Sequence, residues 1–125
     1  MTQKLFQAVA ALKKNAQRIR RLEAQAREAL FVEDDPAAYR EKLKEKTMLL
    51  MELPELIGPF CQDLDKEAAR QIDKGLESFA MRAQRAMELS SVFYMNALLY
   101  PEDYREGDPN DLEVFIKRLE TLHLT

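Results

Sequence analysis

The 125-residue chain has no tryptophan, one cysteine, one histidine and three glycines, and each shortage removes a class of function. Cys61 has no partner for an intramolecular bridge, so a secreted disulfide scaffold is excluded and a reducing compartment, the cytoplasm, is expected. Structural zinc calls for about four Cys/His ligands, and di-iron bundles for two Glu-x-x-His pairs. Cys61 and His123 cannot supply either, and no metal or other cofactor is expected. Gly58, Gly75 and Gly107 are isolated from one another, which rules out a Gly-rich phosphate loop. No uninterrupted apolar run has the length of a signal peptide or a membrane span, so a soluble chain without a membrane role is expected.

What is present favours helix. Charged residues make up 33% of the chain, and Ala, Leu, Glu, Arg, Lys and Met are abundant. Leu, Ile, Val and Phe fill 32 positions, enough for one domain with a real core. Apolar residues at Leu5, Val9, Leu12, Ala16, Ile19, Ala26 and Leu30 step by three and four, predicting a helix over 3–31 with a coiled-coil-like seam. Glu23 interrupts that seam, and Arg27 or Arg20, one turn away on either side, is its expected partner. Asp35 and Pro36 supply the cap and first residue of a second helix. Its inward stripe is Tyr39, Leu43, Thr47 and Leu50, and Pro54 is expected to end it at 53. Leu56, Ile57 and Phe60 in the connector are expected to plug the end of the bundle.

From 61 to 99 there is no proline, and Leu64, Ala68, Ile72, Leu76, Phe79, Ala83, Ala86, Ser90, Tyr94 and Ala97 share one side of a helical wheel. This predicts a single long helix, with Gly75 inside it marking a close approach, a bend or nothing. Tyr100-Pro101 stops it, an acidic loop follows, and Asp108-Pro109 is read as the cap of a last helix over 111–123. That helix carries Leu112, Phe115, Ile116, Leu119 and Leu122 on one face. The expected fold is therefore all-α: an antiparallel three-helix bundle (3–31, 36–53, 61–99) with one long central helix and a short C-terminal fourth. At about 1.5 Å per residue the long helix overhangs its companions by about ten residues.

Two surfaces follow. The overhang is apolar nearly all round, and Met81, Val92, Phe93, Tyr94, Met95, Leu98 and Leu99 are the expected protein-binding residues, with Met48 and Met51 as candidate additions. The occupant would be the last helix of the same chain, a second copy, or an amphipathic helix of another protein. Residues 1–31 hold seven Lys/Arg against two Asp/Glu, whereas the rest of the chain holds 12 against 20. Lys13, Lys14, Arg18 and Arg21 are thus candidate anion contacts, and nucleic acid is the second reading. The absence of Tyr and Trp from that helix and the net charge of −3 weigh against it. Ser90 and Ser91 lack a neighbouring His, and His123 sits near the terminus, so no enzyme is expected. Cys61 near a helix start would be either a reactive thiol or an inert small hydrophobe.

A first helix, a turn, Glu45-Lys46 followed by Leu49-Leu50 in a short second helix, and a long third helix ending near Asn96 and Leu99 resemble the organisation of flagellar and type III export chaperones. The resemblance spans residues 3–100 and implies a cytoplasmic protein that shields an amphipathic segment of a secreted subunit in a groove along the long helix. Residues 112–122 would fill that groove in the free state. No family motif transfers a particular binding residue.

Overall fold

The computed structural model describes residues 2–122. Among them are five α-helices and no strand: α1 (Gln3–Phe31), α2 (Pro36–Ile57), α3 (Lys66–Glu88), α4 (Val92–Ala97) and α5 (Asp111–Leu122), with a 3-10 turn at Gly58–Cys61. The expected helix end at 123, the side chain of Leu122 and His123 lie outside the described residues.

Local chemistry explains the first two helices. Thr2 Oγ1 accepts from Leu5 N at 3.1 Å and starts α1, whose seam residues Leu5, Val9, Leu12, Ala16, Ile19 and Ala26 are all buried. Asp34 turns the chain in the left-handed region (φ 53), a conformation that a short polar side chain tolerates. Asp35 Oδ1 then accepts from Ala38 N at 3.1 Å, with Pro36 at the first helical position. Leu43, Thr47 and Leu50 are buried as expected, and the Thr47 hydroxyl is satisfied by Leu43 O at 2.8 Å.

Two boundaries differ from expectation, one because packing outweighs a local rule and one because a local cap sets it. α2 runs through Pro54 to Ile57 instead of stopping at 53. An internal proline costs about 3 kcal/mol, but Leu53 and Ile57 on either side of it are completely buried. Burying two such side chains contributes roughly 1.5–3 kcal/mol each, which is enough to keep the turn helical. Ile57 therefore plugs the bundle end, while Leu56 and Phe60 remain partly exposed. The third helix begins at Lys66, not 61, because Asp65 Oδ1 accepts from both Glu67 N and Ala68 N.

The largest correction concerns the long helix. The segment 61–99 is not one rod: α3 ends at Glu88, and α4 is a separate six-residue helix. Ser90 adopts φ 49, reversing the chain, and Ser91 Oγ accepts from Tyr94 N at 3.2 Å to start α4. There is no overhang. A helix apolar on two sides needs two covers, and the chain provides them by folding α4 back onto α2 and α3. Met95 then joins Ala26, Leu43 and Ala86 in a small second core. Leu99 (φ 78) makes another reversal and is itself buried.

Contact registers fix the remaining geometry. Arg20 meets Glu113 and Lys13 meets Glu120, so α5 runs antiparallel to α1. Arg82 meets Asp111 and Phe79 meets Phe115, so α5 also runs antiparallel to α3. α2 packs on both α1 and α3. Leu12, Leu50, Ile72 and Ile116 bring all four longer helices into one core. Gly75 belongs to the close approach: a Cβ there would overlap the Phe115 ring. The cap of α5 is Asn110 rather than Asp108. Asn110 Oδ1 accepts from Glu113 N at 2.9 Å, while Glu113 Oε1 accepts from Asn110 N at 2.8 Å, a reciprocal capping box.

Candidate functional site

Folding α4 back splits the expected protein-binding set. Met95 and Leu99 are buried core residues and not part of the exposed surface, while Val92 and Leu98 are half-buried against the second core. Met81 stays exposed but on α3, separated in chain from the others by the break. Phe93 (76% exposed) and Tyr94 (52%) remain on the surface of α4, their rings edge-to-face at 5.5 Å. Because α1 and α3 are parallel, their C-terminal ends share one end of the bundle. Phe31 (78% exposed), Val32 and Leu89 are exposed there too. Sequence reasoning missed these three. Phe31 and Val32 lie off the first helix's seam, at its C-terminal end. Met48 is exposed and Met51 half-buried on α2.

A six-residue helix has too few internal hydrogen bonds to persist alone, so α4 depends on what holds it. That anchor is a buried polar cluster. Lys46, with no exposed surface, places Nζ 2.9 Å from Glu23 Oε2 and donates to Asn96 O at 3.2 Å and Leu98 O at 3.0 Å. An ammonium thus satisfies carbonyls at the C-terminal end of α4, where positive charge is favoured. Glu23, 5% exposed, also accepts from Tyr100 Oη at 2.6 Å. The partner of Glu23 is therefore Lys46 on α2, neither Arg27 nor Arg20. The signal was legible in part: Lys46 lies three residues after Leu43 and four before Leu50, on the inward stripe.

Arg20 ties the following loop to the same cluster. It pairs with both oxygens of Glu113 (Nη2 to Oε1 2.6 Å, Nε to Oε2 3.2 Å) and donates to Tyr100 Oη at 3.2 Å and Asp108 O at 3.1 Å. Tyr104 Oη donates to Asp108 O at 2.7 Å, and Asp111 N donates to Leu99 O at 2.9 Å, closing residues 100–110 into a loop. The Tyr100 and Tyr104 rings meet edge-to-face at 4.7 Å, with Lys46 Nζ 5.2 Å from the Tyr100 ring centre.

The surroundings bias these groups. Burial lowers the Lys46 ammonium below its ordinary pKa, partly countered by Glu23. Burial and the Glu23 carboxylate both push Tyr100 up. Burial would raise Glu113, but hydrogen bonds from Arg20 and the Asn110 amide outweigh it and hold the carboxyl below 4.5. Chemically, then, the cluster is a clamp: two cations and two carboxylates from α1, α2 and α5 grip the C-terminal end of α4 and the loop after it. A cleft of about 600 Å³ opens beside it, lined by residues including Arg20, Arg27, Tyr100 and Tyr104.

The candidate anion contacts divide as well. Lys13 pairs with Glu120 of α5 at 3.1 Å, whereas Lys14, Arg18 and Arg21 are exposed without an ion-pair partner among the described residues. Cys61 is buried, hydrogen-bonded to Ile57 O at 3.6 Å, and its thiol pKa is raised by burial. These are the properties of a small hydrophobe, not of an activated nucleophile. No group of three or more His, Cys, Asp or Glu placed to hold a metal occurs among the described residues. None of the described helices is long and apolar enough to cross a membrane. No protein family, no curated protein and no solved structure matches the chain.

Proposed function

We propose that this protein is a non-enzymatic helical interaction module of the cytoplasm, and that it presents the α4 end of its bundle to an amphipathic segment of another protein. The observation that carries the reading is the joint exposure of Phe31, Val32, Leu89, Phe93 and Tyr94 at one end, where three of them (Phe31, Val32 and Phe93) are more than three-quarters exposed. Two aromatic residues on a clamped helix are effective anchors because little side-chain freedom is lost when they bind.

Charge favours a different partner over a second copy. The segments 31–39 and 88–99 contain Glu33, Asp34, Asp35 and Glu88 but no Lys or Arg. A two-fold dimer through this end would set like charges against one another, whereas a segment with basic flanks complements them. The chaperone-like version of the reading assigns the end, instead of a groove along the third helix, to the bound segment. α5 already packs against α1 and α3 within the chain.

The test is a binding titration with two synthetic amphipathic helices, one Leu/Lys and one Leu/Glu, against the full chain and its Phe93→Ser variant. Expected is saturable binding of the Leu/Lys helix, weakened at least tenfold by Phe93→Ser and not by Lys14→Glu/Arg18→Glu. Sedimentation should return a mass near 14.5 kDa at all concentrations. Absence of binding by both helices, or indifference to Phe93→Ser, refutes the reading.

A further inference from the structure

On the flank of the bundle, away from α4, a groove of about 550 Å³ runs between α3 and α5. Its volume falls in the range of small-molecule sites. The floor is aromatic: Phe79 and Phe115 meet edge-to-face with ring centres 5.7 Å apart, and Val114 and Leu119 extend it along α5. This floor exists because Gly75 lacks a Cβ. The Phe115 ring lies against the α3 backbone at that point, in the space a Cβ would fill. Val114, 38% exposed, leaves part of the apolar surface open to water.

The rim has the opposite character. Lys74 and Arg82 on α3 and Arg118 on α5 line the groove, against a single carboxylate, Asp111. Arg82 is already engaged: its guanidinium carbon is 5.6 Å from the Phe79 ring centre, and it reaches Ser78 Oγ at 3.1 Å and Asp111 Oδ2 at 3.8 Å. Arg82 is thus the counter-ion nearest Asp111, while Lys74 and Arg118 are exposed, without an ion-pair partner among the described residues. Two such cations from two helices thus flank an aromatic floor, in a groove lined by three cationic side chains and one acid.

We infer that this groove binds small aromatic organic anions, with the ring laid on the Phe79–Phe115 floor and the acid group held between Lys74 and Arg118. A flat ring gains edge or offset contact with both phenylalanines, and a carboxylate, sulfonate or phosphate answers the unpaired charge. A neutral ring satisfies only the floor, and a non-aromatic anion only the rim. The inference concerns a surface distinct from the α4 end and stands independently of the interaction reading.

The test uses the full ¹⁵N-labelled chain titrated with naphthalene-2-sulfonate, followed by amide chemical shifts, with naphthalene-2-methanol as the uncharged counterpart. Expected are saturable shifts centred on 71–82 and 111–119, at least tenfold weaker binding of the alcohol, and a similar loss in Lys74→Glu/Arg118→Glu. Both substituted residues are exposed, and circular dichroism verifies that the variant keeps its helix content. Phe93→Ser should leave the titration unchanged, separating the groove from the exposed aromatic end. Shifts that fail to saturate, shifts centred on 31–32 and 89–94, or equal affinity for the alcohol would each overturn the assignment.

Discussion

Replacing Lys46 with Met tests whether the buried clamp sets the position of α4. The substitution keeps the length and most of the apolar stem of the side chain but deletes the charge. Glu23, almost fully buried, would then keep only Tyr100 Oη as partner, and the Asn96 and Leu98 carbonyls would lose their shared donor. Removing one member of a buried ion pair costs about 3–5 kcal/mol, largely the penalty of the stranded charge. Against a total stability of about 5–15 kcal/mol, and with a urea slope near 2 kcal/mol per molar, the unfolding midpoint should fall by roughly 1.5–2.5 M. Urea titration followed by far-UV circular dichroism measures it. The double variant Glu23→Leu/Lys46→Met removes both charges, so its loss should be smaller than the sum of the two single losses by about 2 kcal/mol or more. Tyr100 and the two carbonyls still lose partners, so full recovery is not expected. If Lys46→Met stays within about 1 kcal/mol of the parent, or the two substitutions prove additive, the clamp does not hold α4 in the way described.

Three further outcomes are expected. Gly75→Ala gains helix propensity of about 1 kcal/mol but drives a methyl group into the Phe115 ring at a cost of about 1–3 kcal/mol, for a net loss of up to about 2 kcal/mol. A net gain in thermal denaturation would mean that the ring swings away freely. Glu113 has a folded-state pKa below its ordinary value, so its contribution is present above pH 4.5 and drains away as pH falls through the lowered folded value. The stability gap between the parent and Glu113→Gln should accordingly be widest near neutrality and close as the pH falls below 4.5, and a gap independent of pH would contradict the Arg20–Glu113 pairing. Iodoacetamide should leave Cys61 unmodified in the native chain and label it in urea, since the thiol is buried and its pKa raised; rapid native labelling would place it at a mobile surface.

Elements governed by neighbours in sequence were readable in advance. The α1 seam needed only helical period, and the start of α2 needed only Asp35 and Pro36. Elements governed by distant partners were not. The wheel pattern running through 61–99 stays in phase across the break, so periodicity has no means of detecting it. The local clue is Ser91, a capping residue with nothing to distinguish it from a tolerated helical serine until Ser90 turns left-handed. Likewise Asp108-Pro109 and Asn110 both look like caps, and only the reciprocal bond with Glu113 selects Asn110. The site suffered most from this, because Met95 and Leu99 change from surface to core once the chain reverses, while Phe31 and Val32 take their place at the exposed end.

Composition and spacing by themselves determined that the chain is helical, where most of its helices begin, and that disulfide and structural-zinc scaffolds were closed to it. Those properties depend on residues within a turn or two of one another and on the inventory of side chains. Tertiary structure alone decided that the segment after Glu88 folds back, that Lys46 crosses to Glu23, and that Gly75 admits an aromatic ring. Each of those is settled by burial against a helix distant in sequence, where the free energy of covering apolar surface and pairing a buried charge exceeds any local preference.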